Sequence, residues 1–178
     1  MGDGSGDSQR VWHEFVGKMF DNVSILDVGA GIGRSKDRLS RGGINRVTTQ
    51  DINRALMLDV DMITNLNNIH DKWDVVTSFD VIEHDPSPSL FLYEMLYRAT
   101  QGVFFSTPNH FLYPAPWHFK PTELCSLVAE READHDHARW FLRHRVADSD
   151  VVAEVSKEKF LNNQDAYALG VYLPKVKR

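Results

Sequence analysis

Four side chains in the second half of the chain carry chemistry that a reaction would need. Asp80, Glu83 and His84 fall within the run Asp80-Val81-Ile82-Glu83-His84, and His118 follows in a loop crowded with aromatic residues. An imidazole, whose ordinary pKa is near ~6.5, can take a proton from a hydroxyl group at neutral pH. A carboxylate beside it can orient the ring or help to hold a divalent ion. Upstream, Gly29, Gly31 and Gly33 alternate in the stretch Ser24 to Arg34, SILDVGAGIGR. Removing every second Cβ lets a backbone turn tightly and lie directly against a ligand. Asp27 stands just before that turn, and Asp51 follows the next β-rich segment. A carboxylate there can accept from both hydroxyls of a ribose diol, or serve, as in any α/β protein, as a turn or helix cap.

These residues must be held by a sheet. Val11, Trp12, Phe15, Val16 and Met19 recur at helical spacing, so residues 9–19 read as an amphipathic helix. A short buried strand over 23–28 then enters the glycine turn, and a helix from Gly33 to Ser40 ends at Arg41-Gly42-Gly43. Arg46 to Gln50 is a β-branched second strand. The segment from Ile52 to Met62 is short for a crossover helix and suggests a turn with a brief third strand near Met57 to Val60. Trp73 to Phe79 is almost continuously apolar, as a central parallel strand should be. A proline-initiated helix over Leu90 to Thr100 and a fifth strand over Val103 to Ser106 follow. Residues 108–121, proline-rich and aromatic, emerge at the ligand edge and read as an active-site lid loop, before a helix from Pro121 to Glu132. Residues 133–165 are the least legible, with Arg139, Arg143, His144 and Arg145 read as a solvated helix face and Val151 to Val155 as an edge strand. Ala166 to Leu173 closes the pattern as the last strand. The sum is an α/β, Rossmann-like fold: a mostly parallel seven-stranded sheet with an antiparallel last strand and helices on both faces. Residues 1–178 read as one domain, with 1–8 a flexible lead-in.

Composition narrows the field of partners. A hydrophobic content of 42% with 25% charged residues is that of a soluble globular protein. No apolar run approaches the ~20 residues that span a bilayer, so no membrane role is expected. The single cysteine, Cys125, excludes an internal disulfide framework. With no charged-then-apolar leader pattern, it points to a cytoplasmic protein. A net charge of −5 gives no global case for nucleic acid, which is not favoured as a partner, and the chain is expected as a monomer or homodimer.

Two stretches carry a family resemblance. Asp27-Val28-Gly29-Ala30-Gly31-Ile32-Gly33 resembles the first motif of class I S-adenosylmethionine-dependent methyltransferases. The run WDVVTSFDVIEHDPSPSLFLYEMLYRATQGVFFSTPN resembles, in residues and order, the "FD-x-(V/I)…EH…P…STPN" run of ubiquinone-type and small-molecule methyltransferases. The resemblance covers about residues 23 to 125. A dinucleotide fingerprint G-x-G-x-x-G would need glycine where Arg34 stands, which disfavours an NAD-dependent oxidoreductase. The resemblance implies S-adenosyl-L-methionine as cofactor and S-adenosylhomocysteine as product. It implies that Asp27, Gly29, Ala30, Gly31 and Gly33 wrap the amino-acid part and that Asp51 with Ile52 meets the ribose. Asp61 with Met62 is implied at the adenine, with Asp59 as a competing register, and Phe79 completes the cofactor set.

The acceptor chemistry falls to His84 as base, Glu83 as its orienting partner and His118 across the lid. No (N/D)-P-P-(Y/F) tetrapeptide is present, and Cys125 is in an expected helix rather than after proline, so amino- and pyrimidine-carbon-methylating subclasses are disfavoured. The first expectation is O-methylation of a small molecule or sugar hydroxyl. Asp80-x-x-Glu83-His84 with His118 also resembles the metal-binding set of small-RNA terminal 2′-O-methyltransferases, which have glutamate at the position of Asp80. That implies a second reading, an RNA or other macromolecular acceptor with a divalent metal, although no residue is assigned to a metal. A third is a non-catalytic module that binds S-adenosylmethionine or a nucleoside.

Overall fold

The computed structural model describes residues 5–31, 33–52, 59–131, 137–146 and 149–175. Among the described residues, five α-helices flank one sheet: α1 (Ser5–Met19), α2 (Ser35–Ser40), α3 (Pro88–Arg98), α4 (Pro121–Arg131) and α5 (Lys157–Leu161). The strands are β1 (Ser24–Val28), β2 (Arg46–Asp51), β3 (Met62–Ile63), β4 (Trp73–Phe79), β5 (Ala99–Pro108), β6 (Arg139–Val146), β7 (Ser149–Val155) and β8 (Ala168–Pro174). Their order across the sheet is β3-β2-β1-β4-β5-β8-β6-β7. β1 to β5 pair in parallel, and β8 inserts antiparallel between β5 and β6. β6 therefore runs in the same direction as β5, and β7 returns antiparallel along the edge.

The strands bury both faces, and alternation sorts their side chains between two cores. Ile25 and Val75 join Trp12, Val16, Leu39, Phe104 and Phe141 under α1 and α2. Their neighbours Leu26 and Val76 join Leu92, Met95, Leu124, Val128, Trp140 and Phe160 on the opposite side. β1 pairs with β2 on one side and β4 on the other, so the connections diverge there. That divergence opens a crevice at the strands' carboxyl ends, where open α/β sheets take ligands.

Four expectations need correction. The sheet has eight strands rather than seven. The additional one is β6, whose basic residues were expected on a solvated helix face; the apolar triplet Trp140-Phe141-Leu142 is fully buried there instead. Arg143 is buried too, and its charge is met across the β6–β7 hairpin by Asp150 at 3.0 Å. A cross-strand partner of this kind has no helical spacing to announce it. The third strand is Met62–Ile63; of the expected Met57 to Val60, the first two residues lie outside the described residues and Val60 is not in a strand. The flexible lead-in shortens, because α1 begins at Ser5, while residues 1–4 lie outside the described residues. Once the Val11–Met19 turns pack, each upstream residue adds a helical bond that offsets the weak propensities of Gly6 and Ser8.

Candidate active site

β1 delivers the glycine turn to the crevice. Past Val28 the backbone N–H groups of Gly29 and Ala30 both donate to the Gln50 carbonyl, at 2.9 and 3.0 Å, which ties the turn to the end of β2. Gly29 and Gly33 hold φ of +73° and +77°. A Cβ on Gly33 would meet the Asp59 carbonyl oxygen at 2.2 Å, so this position tolerates no side chain. The third glycine thus serves close packing of backbone on backbone. Gly31 differs: a Cβ there meets nothing within 4 Å, and its N–H donates to Asp51 Oδ2 at 2.8 Å.

Between the turn and the ends of β2 and β4 lies a cavity of about 440 Å³, bordered by Gly29, Asp51, Ile52, Asn65, Leu66 and His84 among others. That is within the size range of small-ligand sites. Asp51 and Asn65 supply polar groups, while Val28, Leu66 and Phe91 supply apolar walls. Asp51 is nearly buried, whereas Ile52 projects at the rim with 70% of its surface exposed.

Several expected cofactor residues are placed elsewhere. Asp27 is fully buried beneath the turn, accepting from Thr77 Oγ1 at 2.9 Å with its Oδ2 unpartnered. Burial pushes its carboxyl up to about 6 against the Ser35 and Thr77 hydroxyls, and the charge of Asp51 adds to the rise. Asp61 and Met62 do not border the cavity. Asp61 binds the N–H and hydroxyl of Thr49 at 2.9 and 3.0 Å and pairs with Lys36 at 2.6 Å. Its pKa is lowered because those hydrogen bonds outweigh its partial burial. The carboxylate therefore fastens the chain leaving Asp59 to β2 and α2. Asn65 and Leu66, at the start of a 3-10 turn, stand at the cavity wall in their stead. Phe79 is buried against the His13 ring at 4.6 Å, and its carbonyl accepts from Gln9 Nε2 at 3.1 Å.

The residues past β4 form the far wall. Asp80 and His84 both border the cavity. Asp80 adopts φ +56°, a left-handed conformation for a residue other than glycine, and accepts from Ser106 Oγ at 3.3 Å. This is the kind of backbone strain that gathers at ligand sites. A 3-10 turn over Ile82–His84 turns Glu83 inward and His84 outward. The Glu83 side chain is 1% exposed and that of His84 61%, with 4.0 Å between Oε1 and Nε2. Neither Glu83 oxygen has a hydrogen-bond partner. Burial, then the neighbouring charge of Asp80, pushes the Glu83 carboxyl up to about 8.

His118 stands in the aromatic loop with Nδ1 2.5 Å from the Tyr113 carbonyl, so that nitrogen donates and Nε2 is left to accept. Trp117 joins the two histidines: its ring lies 6.3 Å from that of His84 and 6.1 Å from that of His118. Among the described residues, no three His, Cys, Asp or Glu side chains gather closely enough to hold a metal ion. Asn65, Leu66 and Trp117 are the site residues that sequence reasoning missed. Trp117 was visible only as one ring among many in its loop, and Asn65-Leu66 carried no periodic signal.

No family model matches the chain, and no curated protein matches it by sequence. Solved structures do match it in shape. The methyltransferase domain of bacterial CtHen1-CN superposes with a TM-score of 0.70 at 14% identity, over 96% of this chain and 99% of that one. The plantazolicin methyltransferase BpumL, in complex with a pentazolic desmethylPZN analogue and SAH, gives 0.69 at 13% identity over 98% and 87%. A SAM-dependent methyltransferase from Thermotoga maritima, described as a possible histamine N-methyltransferase, gives 0.66 at 12% identity over 93% and 89%. The chain has the class I methyltransferase fold.

Proposed function

We propose that this protein is an S-adenosylmethionine-dependent methyltransferase that methylates a hydroxyl group of a small organic acceptor. The observation that carries the proposal is the convergence of the glycine turn, the Asp51 carboxylate and His84 on one cavity of about 440 Å³. The donor set suits the cofactor. Asp51 can accept from a ribose diol, and the open space over Gly31 leaves room for a ligand against the backbone. Asn65 offers an amide that can both donate to and accept from an adenine edge, and Leu66 offers an apolar face beside it.

Bound there, S-adenosylmethionine supplies a sulfonium methyl: the acceptor oxygen bonds to the methyl carbon, the S–C bond breaks and sulfur keeps its electron pair, leaving S-adenosylhomocysteine. The protein's own share is positioning and proton removal. His84, at the cavity wall and open to solvent, takes the hydroxyl proton. Glu83 sits behind it as a buried, largely protonated acid at neutral pH. The fold neighbours crystallised with SAH support the choice of cofactor. Calorimetric titration tests it with three ligands: S-adenosylmethionine and S-adenosylhomocysteine should bind and NAD should not. Binding of NAD alone would overturn the proposal.

A further inference from the structure

The loop after β5 has a feature that the cofactor site does not use. It is tied internally: His110 N donates to the Phe119 carbonyl at 3.1 Å, Tyr113 N to Asn109 at 3.0 Å and His118 N to Ala115 at 3.1 Å. The His110 and His118 rings bond the carbonyls of Ala115 and Tyr113. Phe119 anchors the loop against the core. Yet Phe111, Leu112, Tyr113 and Trp117 stay 41 to 52% exposed. A tied loop that keeps four large apolar side chains in water at the ligand edge marks a binding surface.

We infer that the acceptor is a planar aromatic compound held face-on against Trp117, an inference that rests on the methyltransferase reading. Trp117 is the ring of this group that adjoins His84, and His84 borders the cofactor cavity. An aromatic acceptor lying on the indole would therefore reach His84 with its hydroxyl while its ring stays outside the cofactor cavity. The indole also adjoins His118, whose Nε2 can accept from a second polar group of the acceptor. Offset stacking on an indole distinguishes an aromatic ring from a saturated ring of equal size.

The same edge does not favour a nucleic acid strand, which needs a cationic track beside the stacking rings. Among the described residues, three cations there share two acids. Arg143 and Arg145 face Asp150 at 3.0 and 3.8 Å, and Lys120 faces Glu123 at 4.0 Å.

The test titrates the full chain, saturated with S-adenosylhomocysteine, with two matched pairs of ligands. These are 2-naphthol against decahydro-2-naphthol and phenol against cyclohexanol, followed by tryptophan fluorescence and by calorimetry. The aromatic member of each pair should bind roughly three- to tenfold more tightly. Trp117→Leu should abolish that preference and Trp117→Phe should restore most of it, with S-adenosylhomocysteine affinity unchanged in both. Equal affinity within the pairs, or a preference that survives in Trp117→Leu, overturns the inference. So does a single-stranded octauridylate that displaces 2-naphthol at lower concentration, which would make the loop a nucleic-acid platform. Absence of S-adenosylhomocysteine binding in the first step defeats the methyltransferase reading itself. Cofactor binding without ring preference defeats only the aromatic acceptor.

Discussion

Replacing Glu83 by glutamine should stabilise the protein, and by an amount that depends on pH. The carboxyl is buried with no hydrogen-bond partner on either oxygen, and its pKa is pushed from 4.5 up to about 8. Its proton is thus held more tightly folded than unfolded. The stability it contributes is fully present below 4.5 and is lost as pH rises through 8. At ~1.36 kcal/mol for each tenfold change in proton affinity, that rise corresponds to about 5 kcal/mol between the ends of the window. This is a ceiling, because water entering beside the charged form would reduce it, yet it is large against a typical total of ~5–15 kcal/mol. Glutamine keeps the shape and cannot ionise.

Urea unfolding at pH 5, 6, 7 and 8 measures the effect. Wild type should lose stability across the series, approaching ~1.4 kcal/mol per pH unit, while Glu83→Gln loses much less. Two other groups titrate in the same range. Asp27, raised to about 6, loses stability upward from its ordinary 3.8, whereas His13, lowered by burial to about 3, loses it as pH falls below 6.5. Both occur in each protein and cancel in the difference. A variant less stable than wild type at pH 8, or a difference that does not grow from pH 5 to 8, would refute the reasoning.

Two further substitutions address the site. Asp51→Ala removes a charged acceptor that also receives the Gly31 N–H. It should weaken S-adenosylhomocysteine binding by about ten- to a hundredfold, from ~1.5–3 kcal/mol for a hydrogen bond to a charged group, and full affinity by calorimetry would remove Asp51 from the ribose role. His84→Ala should lower single-turnover methyl transfer by ~10²–10⁴ while leaving cofactor affinity within about twofold. Unchanged turnover would show that the hydroxyl proton leaves by another route.

The parts of the fold that were legible were those written in local pattern. Trp73 to Phe79 forms β4 with the expected bounds, because a strand buried on both faces needs an unbroken apolar run. The glycine turn was legible because positive φ at three positions leaves few alternatives to glycine. What failed depended on partners distant in sequence. β6 needed Asp150 to neutralise a buried Arg143, and β5 extends back to Ala99 through pairing with Trp73 and on to Pro108 through pairing with β8. Asp61 and Asn65 illustrate the same limit at the site. They are polar residues on either side of a two-residue strand, and it is Thr49 and Lys36, distant in sequence, that hold Asp61 while Asn65 borders the cavity.

The acids of the crevice share one end of the sheet. Asp27, Asp51, Asp80 and Glu83 all lie at the carboxyl ends of β1, β2 and β4, and two of them have oxygens buried without partners. A buried carboxyl oxygen without a partner is costly in either protonation state, and neutral residues of like shape at Glu83 and Asp27 would remove that cost. The two that border the cavity, Asp51 and Asp80, suit a ligand that brings positive charge. On the proposed reading that ligand carries both a sulfonium and an ammonium, and Asp51 and Asp80 favour it over the product, which has lost the sulfonium charge. Glu83, neutral below about 8, leaves that charge to Asp51 and Asp80, and its raised pKa is the measurable trace of what its ionisation would cost the fold.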